Sequence, residues 1–325
     1  MTVRDDERTA GQAGGGDEGR DDEVRGDDDR DRGALVAVPA EPIAEDERRA
    51  LLDGAIHDPH RLLGAHPAEG GTLVRVLRPF AETVTVVTAD GSRCALPAEG
   101  EGLFGGVLPI EISDYRLEIG YGDATVETDD PYRFLPTLGE IDLHLIGEGR
   151  HEQLWEVLGS RVRRFDAPAG TGSPFEAPVG TSFAVWAPNA RGVRVVGDFN
   201  YWNGTSHPLR SMGSSGVWEL FVPGVGTGAR YKYEILGRDG VWRQKADPLA
   251  RQCEHPPANA SIVDESHYEW SDSQWLDRRA KWDPYRAPMS VYELHLASWR
   301  PGLDYRGLAE QLPPYLNELG FTHVE

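Results

Sequence analysis

Two stretches of this chain, residues 72–135 and 181–251, spell one pattern twice. Leu73-Val74-Arg75-Val76-Leu77-Arg78-Pro79 answers Phe183-Ala184-Val185-Trp186-Ala187-Pro188. Thr83-Val84-Thr85-Val86-Val87 answers Gly192-Val193-Arg194-Val195-Val196, and Tyr115-Arg116-Leu117-Glu118-Ile119 answers Tyr231-Lys232-Tyr233-Glu234-Ile235. Both copies close on Asp-Pro, at Asp130-Pro131 and Asp247-Pro248. A repeat of this length folds the same way twice. Each copy consists of short Val-, Phe- and Leu-rich runs of period two, separated by Gly, Pro and Asp, which is the rhythm of a β-sandwich. The expected fold class is therefore mainly β, with two tandem immunoglobulin-like sandwiches.

Gly180–Gly204 is the densest part of the second copy. Its runs Ser182–Ala187 and Gly192–Gly197 flank the turn signal Pro188-Asn189-Ala190-Arg191, which predicts a hairpin or closely paired strands. The second run passes directly into Asp198-Phe199-Asn200-Tyr201-Trp202-Asn203-Gly204. Aromatics in such a turn either pin the loop or face a ligand. The first copy has only Thr88-Ala89-Asp90-Gly91 there, and Gly122-Asp123-Ala124-Thr125 where the second has Asp239-Gly240-Val241-Trp242. Core positions are needed in both copies, so loop residues gained in one copy are candidates for binding. A sugar ring needs an aromatic plane for its C–H face and donors and acceptors for its hydroxyls. Trp202 and Trp242 offer the planes, Lys232 a donor and Asn259 an amide. Packing is the competing role for both indoles, Trp202 as a loop pin and Trp242 as a strand-end plug. Trp186 and Trp218, within strand runs, are expected in the core.

Charge narrows the partner. The formal net charge is −21, which disfavours nucleic acid, whose phosphates demand a basic face. A neutral partner suits it. Residues 1–33 hold twelve acids and six arginines and are expected to be a disordered tail. No hydrophobic leader and no apolar run near the ~20 residues of a membrane helix are present. Cys94 and Cys253 are too few for a disulfide framework and fit free thiols in the cytoplasm. His57, His60 and His66 invite a metal reading, but Pro59 breaks their spacing and no close ligand completes the set, so no metal is expected. The segment around them begins as an amphipathic helix carrying Leu51, Leu52, Ala55 and Ile56.

Three motif groups together resemble a known family. FAVWAPNA, VVGDFNYWNG, GVWELFVPG, YKYEI and ADP, within residues 181–262, are similar to the family-48 carbohydrate-binding module that precedes the barrel in the α-amylase superfamily. HDPHRLLGAH and the tandem sandwich resemble the long N-terminal form of bacterial 1,4-α-glucan (glycogen) branching enzymes. SVYELHLASWR, from Ser290, resembles the first strand of the family's (β/α)8 barrel, with Ala297 where Gly is common. The resemblance covers about residues 45–325. It implies an acidic tail at 1–44, a first sandwich at 45–136, and a helical connector and linker at 137–173. A carbohydrate-binding module at 174–271 and the opening of the barrel at 272–325 follow.

By this resemblance, Trp202, Lys232, Trp242 and Asn259 fall where related modules touch α-glucan, so α-1,4-glucan or glycogen is the expected partner, with no cofactor. A cytoplasmic, monomeric glucan-binding portion of a branching enzyme is the resulting expectation. Residues 289–325 give one strand, a helix from about Tyr305 to Leu319 broken or kinked at Pro313-Pro314, and a second strand from Thr322. A full barrel takes about 250 residues. The family's catalytic carboxylates lie on later strands, so Glu293 and Glu325 are read as ordinary surface or barrel acids and the chain alone as inactive. Val291, Leu294, Leu296, Leu316, Leu319 and Phe321 would lack packing partners. The rival readings are a stand-alone glucan-binding protein, part of a debranching enzyme, and an immunoglobulin-like adhesion domain.

Overall fold

The computed structural model describes residues 34–112, 114–165 and 175–325; the expected disorder of residues 1–33 and most of the linker after Phe165 lie outside them. The chain divides into two compact units, one ending at Glu265 and the other spanning Ser266–Glu325.

The first sandwich contains β1 (Ala34–Val36), β2 (Val38–Pro39), helix α1 (Glu45–Asp53), β3 (Gly64–Ala68), β4 (Gly71–Leu77) and β5 (Thr83–Thr88). It continues through β6 (Arg93–Ala95), β7 (Ala98–Gly100), β8 (Leu103–Leu108), β9 (Tyr115–Tyr121) and β10 (Ala124–Thr128). One sheet has the order β1-β6-β5-β9-β10 and the other β2-β8-β4-β3, with β7 on β8. Val74, Val76, Phe104 and Leu108 from one sheet meet Val84, Val86, Leu117 and Ile119 from the other. Residues 34–39, read with the tail from sequence, are therefore strands of this sandwich.

Helices α2 (Glu140–Gly147) and α3 (Leu154–Val157) form the connector. The second sandwich comprises β11 (Gly159–Arg164), β12 (Val179–Trp186), β13 (Gly192–Gly197), β14 (Arg210–Ser211), β15 (Val217–Pro223), β16 (Arg230–Leu236), β17 (Trp242–Lys245), β18 (Gln252–Cys253) and β19 (Ser261–Ile262). Its sheets run β11-β12-β15-β14 and β13-β16-β19-β18, with β17 also on β16.

The predicted hairpin between β12 and β13 is absent. β12 pairs with β11 and β15, and β13 with β16. At the corner, Ala187 N–H donates to Gly216 O and Arg191 N–H to Leu236 O, so the two strand ends are committed to different sheets. The inward row of β12 carries Phe183 and Val185, which join Trp218 and Leu220 of β15 in the core. Trp186 belongs to the opposite row and is 57% exposed, which corrects its assignment to the core. Period two identifies residues on one face but not which face is inward.

The two sandwiches share apolar packing. Leu51 and Leu63, around α1, and Tyr132 lie in the same buried cluster as Phe183, Val193, Tyr231 and Tyr233. The Tyr132 hydroxyl is shared between Ser206 O at 3.1 Å and Pro208 O at 3.2 Å. The three histidines diverge to separate neighbours: His57 beside Trp218, His60 beside Tyr132, and His66 Nε2 at 3.0 Å from Leu63 O.

In the second unit, α4 (Ser273–Ala280) precedes β20 (Val291–Tyr292), α5 (Leu296–Trp299), α6 (Tyr305–Leu319) and β21 (His323–Val324). β20 and β21 pair in parallel across α6, a strand–helix–strand unit of the kind that builds barrels. Of the expected break or kink at Pro313-Pro314, the break is absent: α6 runs through both prolines. The carbonyls that lose donors there belong to exposed Ala309 and Glu310, on the solvent side, where they need no N–H partner from the protein.

Candidate functional site

The outer face of the β13–β16–β17 sheet is fixed by register. Gly192 lies opposite Leu236, which lies opposite Trp242; Arg194, Glu234 and Gln244 form the next row, and Val196 lies opposite Lys232. The intervening rows, Val193, Val195, Tyr231 and Tyr233, point into the core. Trp242 and Lys232 therefore share one face, four strand positions or about 13 Å apart along β16.

Trp242 is half-buried. The Arg194 guanidinium carbon lies 4.3 Å from the centroid of its indole ring, so one π face is occupied by a cation. Arg194 Nη2 also donates to Leu52 O at 3.4 Å, at the end of α1. Burial pulls the Arg194 guanidinium below its ordinary value, against the attraction of Glu234, Asp53 and Tyr132. Glycine permits the close approach of α1: a Cβ on Gly192 would fall 2.2 Å from Gly54 O.

The loop after β13 separates its aromatics by role. Asn200 is buried, and its side-chain oxygen accepts from Gly197 N at 2.9 Å while its amide donates to Val195 O at 2.9 Å. Phe199 stacks on Phe183 in the core, with centroids 5.7 Å apart. These two residues pin the loop. Tyr201 and Trp202 follow at φ 53° and 61°, a left-handed conformation that bulky residues rarely adopt. Tyr201 is 94% exposed, whereas Trp202 is half-buried and donates Nε1 to Asp198 Oδ1 at 3.3 Å. Gly204 then lays the loop over the sheet: a Cβ there would fall 2.8 Å from both Arg194 Cβ and Glu234 Oε2.

Polar groups complete this end. Lys232 Nζ donates to Asn259 Oδ1 at 2.5 Å. Arg230 donates to Asp198 through Nε and Nη2, both at 2.9 Å, and through Nη1 to Glu254 Oε1 at 3.2 Å. The Arg230 hydrogen bonds hold the Asp198 carboxyl below its ordinary range. Glu254 Oε2 accepts from Ala260 N at 3.0 Å, tying in the loop that carries Asn259.

Lys232 and Asn259 are thus in direct contact. The Trp202 loop leaves β13 one position beyond the strand partner of Lys232, and Trp242 flanks the far end of the same face. Arg194 and Glu234 lie on the same face and alternate with core residues at the same period as Lys232; Gln244 joins them only through the register of β17 on β16. The sequence reading left these three and Tyr201 unassigned. Among the described residues, no group of three or more His, Cys, Asp or Glu is placed to hold a metal, and Cys94 and Cys253 are free thiols.

Residues 44–132 match the family model described as the alpha-1,4-glucan branching enzyme GlgB N-terminal domain. Residues 171–250 match carbohydrate-binding module 48, the isoamylase N-terminal domain. A 1,4-alpha-glucan branching enzyme GlgB of Kitasatospora aureofaciens is 59% identical over 288 residues, covering 88% of this chain and 36% of the relative. One from Thermobifida fusca is 60% identical over 278 residues, covering 85% and 36%. GlgB 2 of Streptomyces coelicolor is 57% identical over 295 residues, covering 90% and 38%. The chain spans little more than a third of the length of these relatives.

Proposed function

We propose, on the premise that this chain corresponds to the N-terminal region of GlgB-type 1,4-alpha-glucan branching enzymes, that its second sandwich holds α-1,4-glucan. The binding face is the outer side of the β13–β16–β17 sheet, with Trp202, Lys232, Trp242 and Asn259 as the contacting residues. The observation that supports this most directly is the Lys232–Asn259 hydrogen bond of 2.5 Å on a face flanked by two half-buried indoles. Indole planes take the C–H faces of glucose units, and the ammonium and amide meet hydroxyl groups. Because Lys232 and Asn259 already hold one another, less side-chain freedom is lost on binding. The formal charge of −21 is compatible with a neutral polymer.

For a longer protein that carries this region we propose that an α-1,4 segment is cut, held covalently and passed to a 6-hydroxyl, in cytoplasmic glycogen synthesis. This region would hold the polymer. We assign no catalytic residue, metal or cofactor within this chain. Affinity electrophoresis in glycogen gels tests the reading. Trp242→Ala and the Lys232→Ala/Asn259→Ala pair should each weaken retention about tenfold, the scale of one well-placed aromatic or polar contact. Unchanged migration of both variants would remove this face as the site.

A further inference from the structure

Arg194 and Trp242 are gains of the second sandwich alone. By strand register, Arg194 of β13 lies opposite Glu234, and Trp242 of β17 lies opposite Leu236, which lies opposite Gly192. The same places in the first sandwich hold Thr85, opposite Glu118, and Thr125, opposite Gly120, which lies opposite Thr83. A fold that forms with two threonines there does not need an arginine stacked on a tryptophan to close its sandwich.

Arg194 makes poor use of its own hydrogen bonds. Glu234, its register partner, accepts instead from Gln244 Nε2 at 3.2 Å. Arg194 Nε is buried with no hydrogen-bond partner among the described residues, a costly state for a cationic donor. Two other groups hold the guanidinium: its carbon lies 4.3 Å from the Trp242 ring centroid, and Nη2 donates to Leu52 O at 3.4 Å. Leu52 O is among the carbonyls that the C-terminal end of α1 leaves without an intrahelical donor. α1 has acids in its first turn and no basic residue in its last, so the cation favoured at a helix C-terminus comes from the other sandwich. Gly54 leaves the room for it: a Cβ there would fall 2.1 Å from Arg194 Nε.

We infer that Arg194 is a positioning residue for α-glucan, holding the Trp242 indole from the end of α1 and so linking sugar on the second sandwich to the seat of the first. The inference rests on the glucan-binding reading above. With one π face taken by the guanidinium, a sugar ring meets the other, and the indole it meets has already lost rotamer freedom. Arg194 itself acts only through the indole. Linkage is reciprocal: a ligand that favours the held indole also favours the guanidinium in place, and with it α1 docked.

The test uses maltoheptaose, with affinity measured calorimetrically on the full 325-residue chain. Arg194→Met should weaken binding about five- to tenfold. In a Trp242→Ala background the same substitution should change affinity by less than about twofold, because no indole remains to be positioned. Equal losses in both backgrounds overturn the proposal. Gly54→Ala, in the first sandwich, puts a methyl group where the guanidinium lies and should weaken binding by a similar factor. A Gly54→Ala variant that melts near the parent and binds like it overturns the proposal even if Arg194→Met fails to fold. Saturating maltoheptaose should also slow hydrogen exchange at the Gly54 and Ala55 amides, which donate to Leu51 O and Ala50 O, about fivefold in the parent. No slowing in the parent, or the same slowing in Arg194→Met, removes the link to α1. Trp242→Ala alone reports on the underlying reading: if it binds like the parent, that reading fails at this residue and the proposal falls with it. If Trp242→Ala weakens binding and Arg194→Met does not, the proposal alone falls.

Discussion

The Tyr231 hydroxyl donates to Asp247 Oδ2 at 2.6 Å inside the second sandwich. Tyr115 repeats this bond to Asp130 Oδ2 at 2.8 Å inside the first. The other oxygen of each carboxylate holds the following turn: Asp247 Oδ1 accepts from Leu249 N at 2.8 Å and Asp130 Oδ1 from Tyr132 N at 3.0 Å. The Asp-Pro that closes each repeat is therefore a buried tie between a central strand and the chain leaving the sandwich. Burial raises both carboxyls above their ordinary value, while the tyrosine hydrogen bonds oppose it.

Removing either hydroxyl leaves a buried carboxylate short of a donor. Tyr231→Phe and Tyr115→Phe should each cost about 1–3 kcal/mol, measured by urea unfolding of the unit ending at Glu265. Losses below about 0.5 kcal/mol at both sites would show that these bonds do not hold the turns.

Two histidines, His207 buried and His60 half-buried, set an acid limit. Burial pushes His60 and His207 down to about 3, with the Arg210 charge adding at His60 and Arg78 at His207. Unfolded, each titrates near 6.5. The unfolded state then binds more protons between pH 6.5 and about 3, so stability is lost as pH falls through that window. Each histidine contributes a slope of up to about 1.4 kcal/mol per pH unit. Asp130 and Asp247, raised in the folded state, act in the opposite sense above pH 3.8, so single substitutions isolate the histidine part. His60→Leu should shallow the acid limb of a stability–pH curve measured from pH 7 to 4. A limb of unchanged slope would contradict this.

The Arg194–Trp242 stack should couple the two residues energetically. In a double-mutant cycle of Arg194→Met and Trp242→Ala, the coupling should be about 0.5–2 kcal/mol in unfolding free energy. Arg194→Lys should not substitute fully, because an ammonium cannot lie flat on the indole while reaching Leu52 O. A coupling near zero would mean that the indole is positioned by its strand alone.

The second unit leaves much apolar surface in water. Trp270, Trp282, Tyr285, Val291, Leu296 and Leu319 are exposed, and Leu308 is its one buried hydrophobic residue. Leaving several such side chains bare forgoes several kcal/mol at about 25 cal/mol per Å2. Amide hydrogen exchange should find residues 289–325 far less protected than β12–β16. Equal protection would show that this unit is stabilised by contacts other than its own core.

Much of the architecture is legible in the repeat. Strand runs such as Val84–Thr88 and Tyr115–Ile119 appear where their period-two pattern places them, because half-buried strands leave that mark on sequence. The short strands β3, β6 and β7 leave little, since three to five residues hold too few alternations. The parity that places Trp242 with Lys232, Arg194 and Gln244 is set by the register of three strands, which no local pattern carries.

Sequence by itself determined the two sandwiches and the loops in which one copy gained tryptophans, because these follow from local periodicity and self-comparison. Tertiary structure alone decided that β12 and β13 enter different sheets, that Trp186 faces outward, and that Arg194 comes to lie against Trp242. These outcomes depend on which distant strand or helix occupies a given face. Such partners, far apart along the chain, are selected by the packing of the whole domain and leave no local pattern.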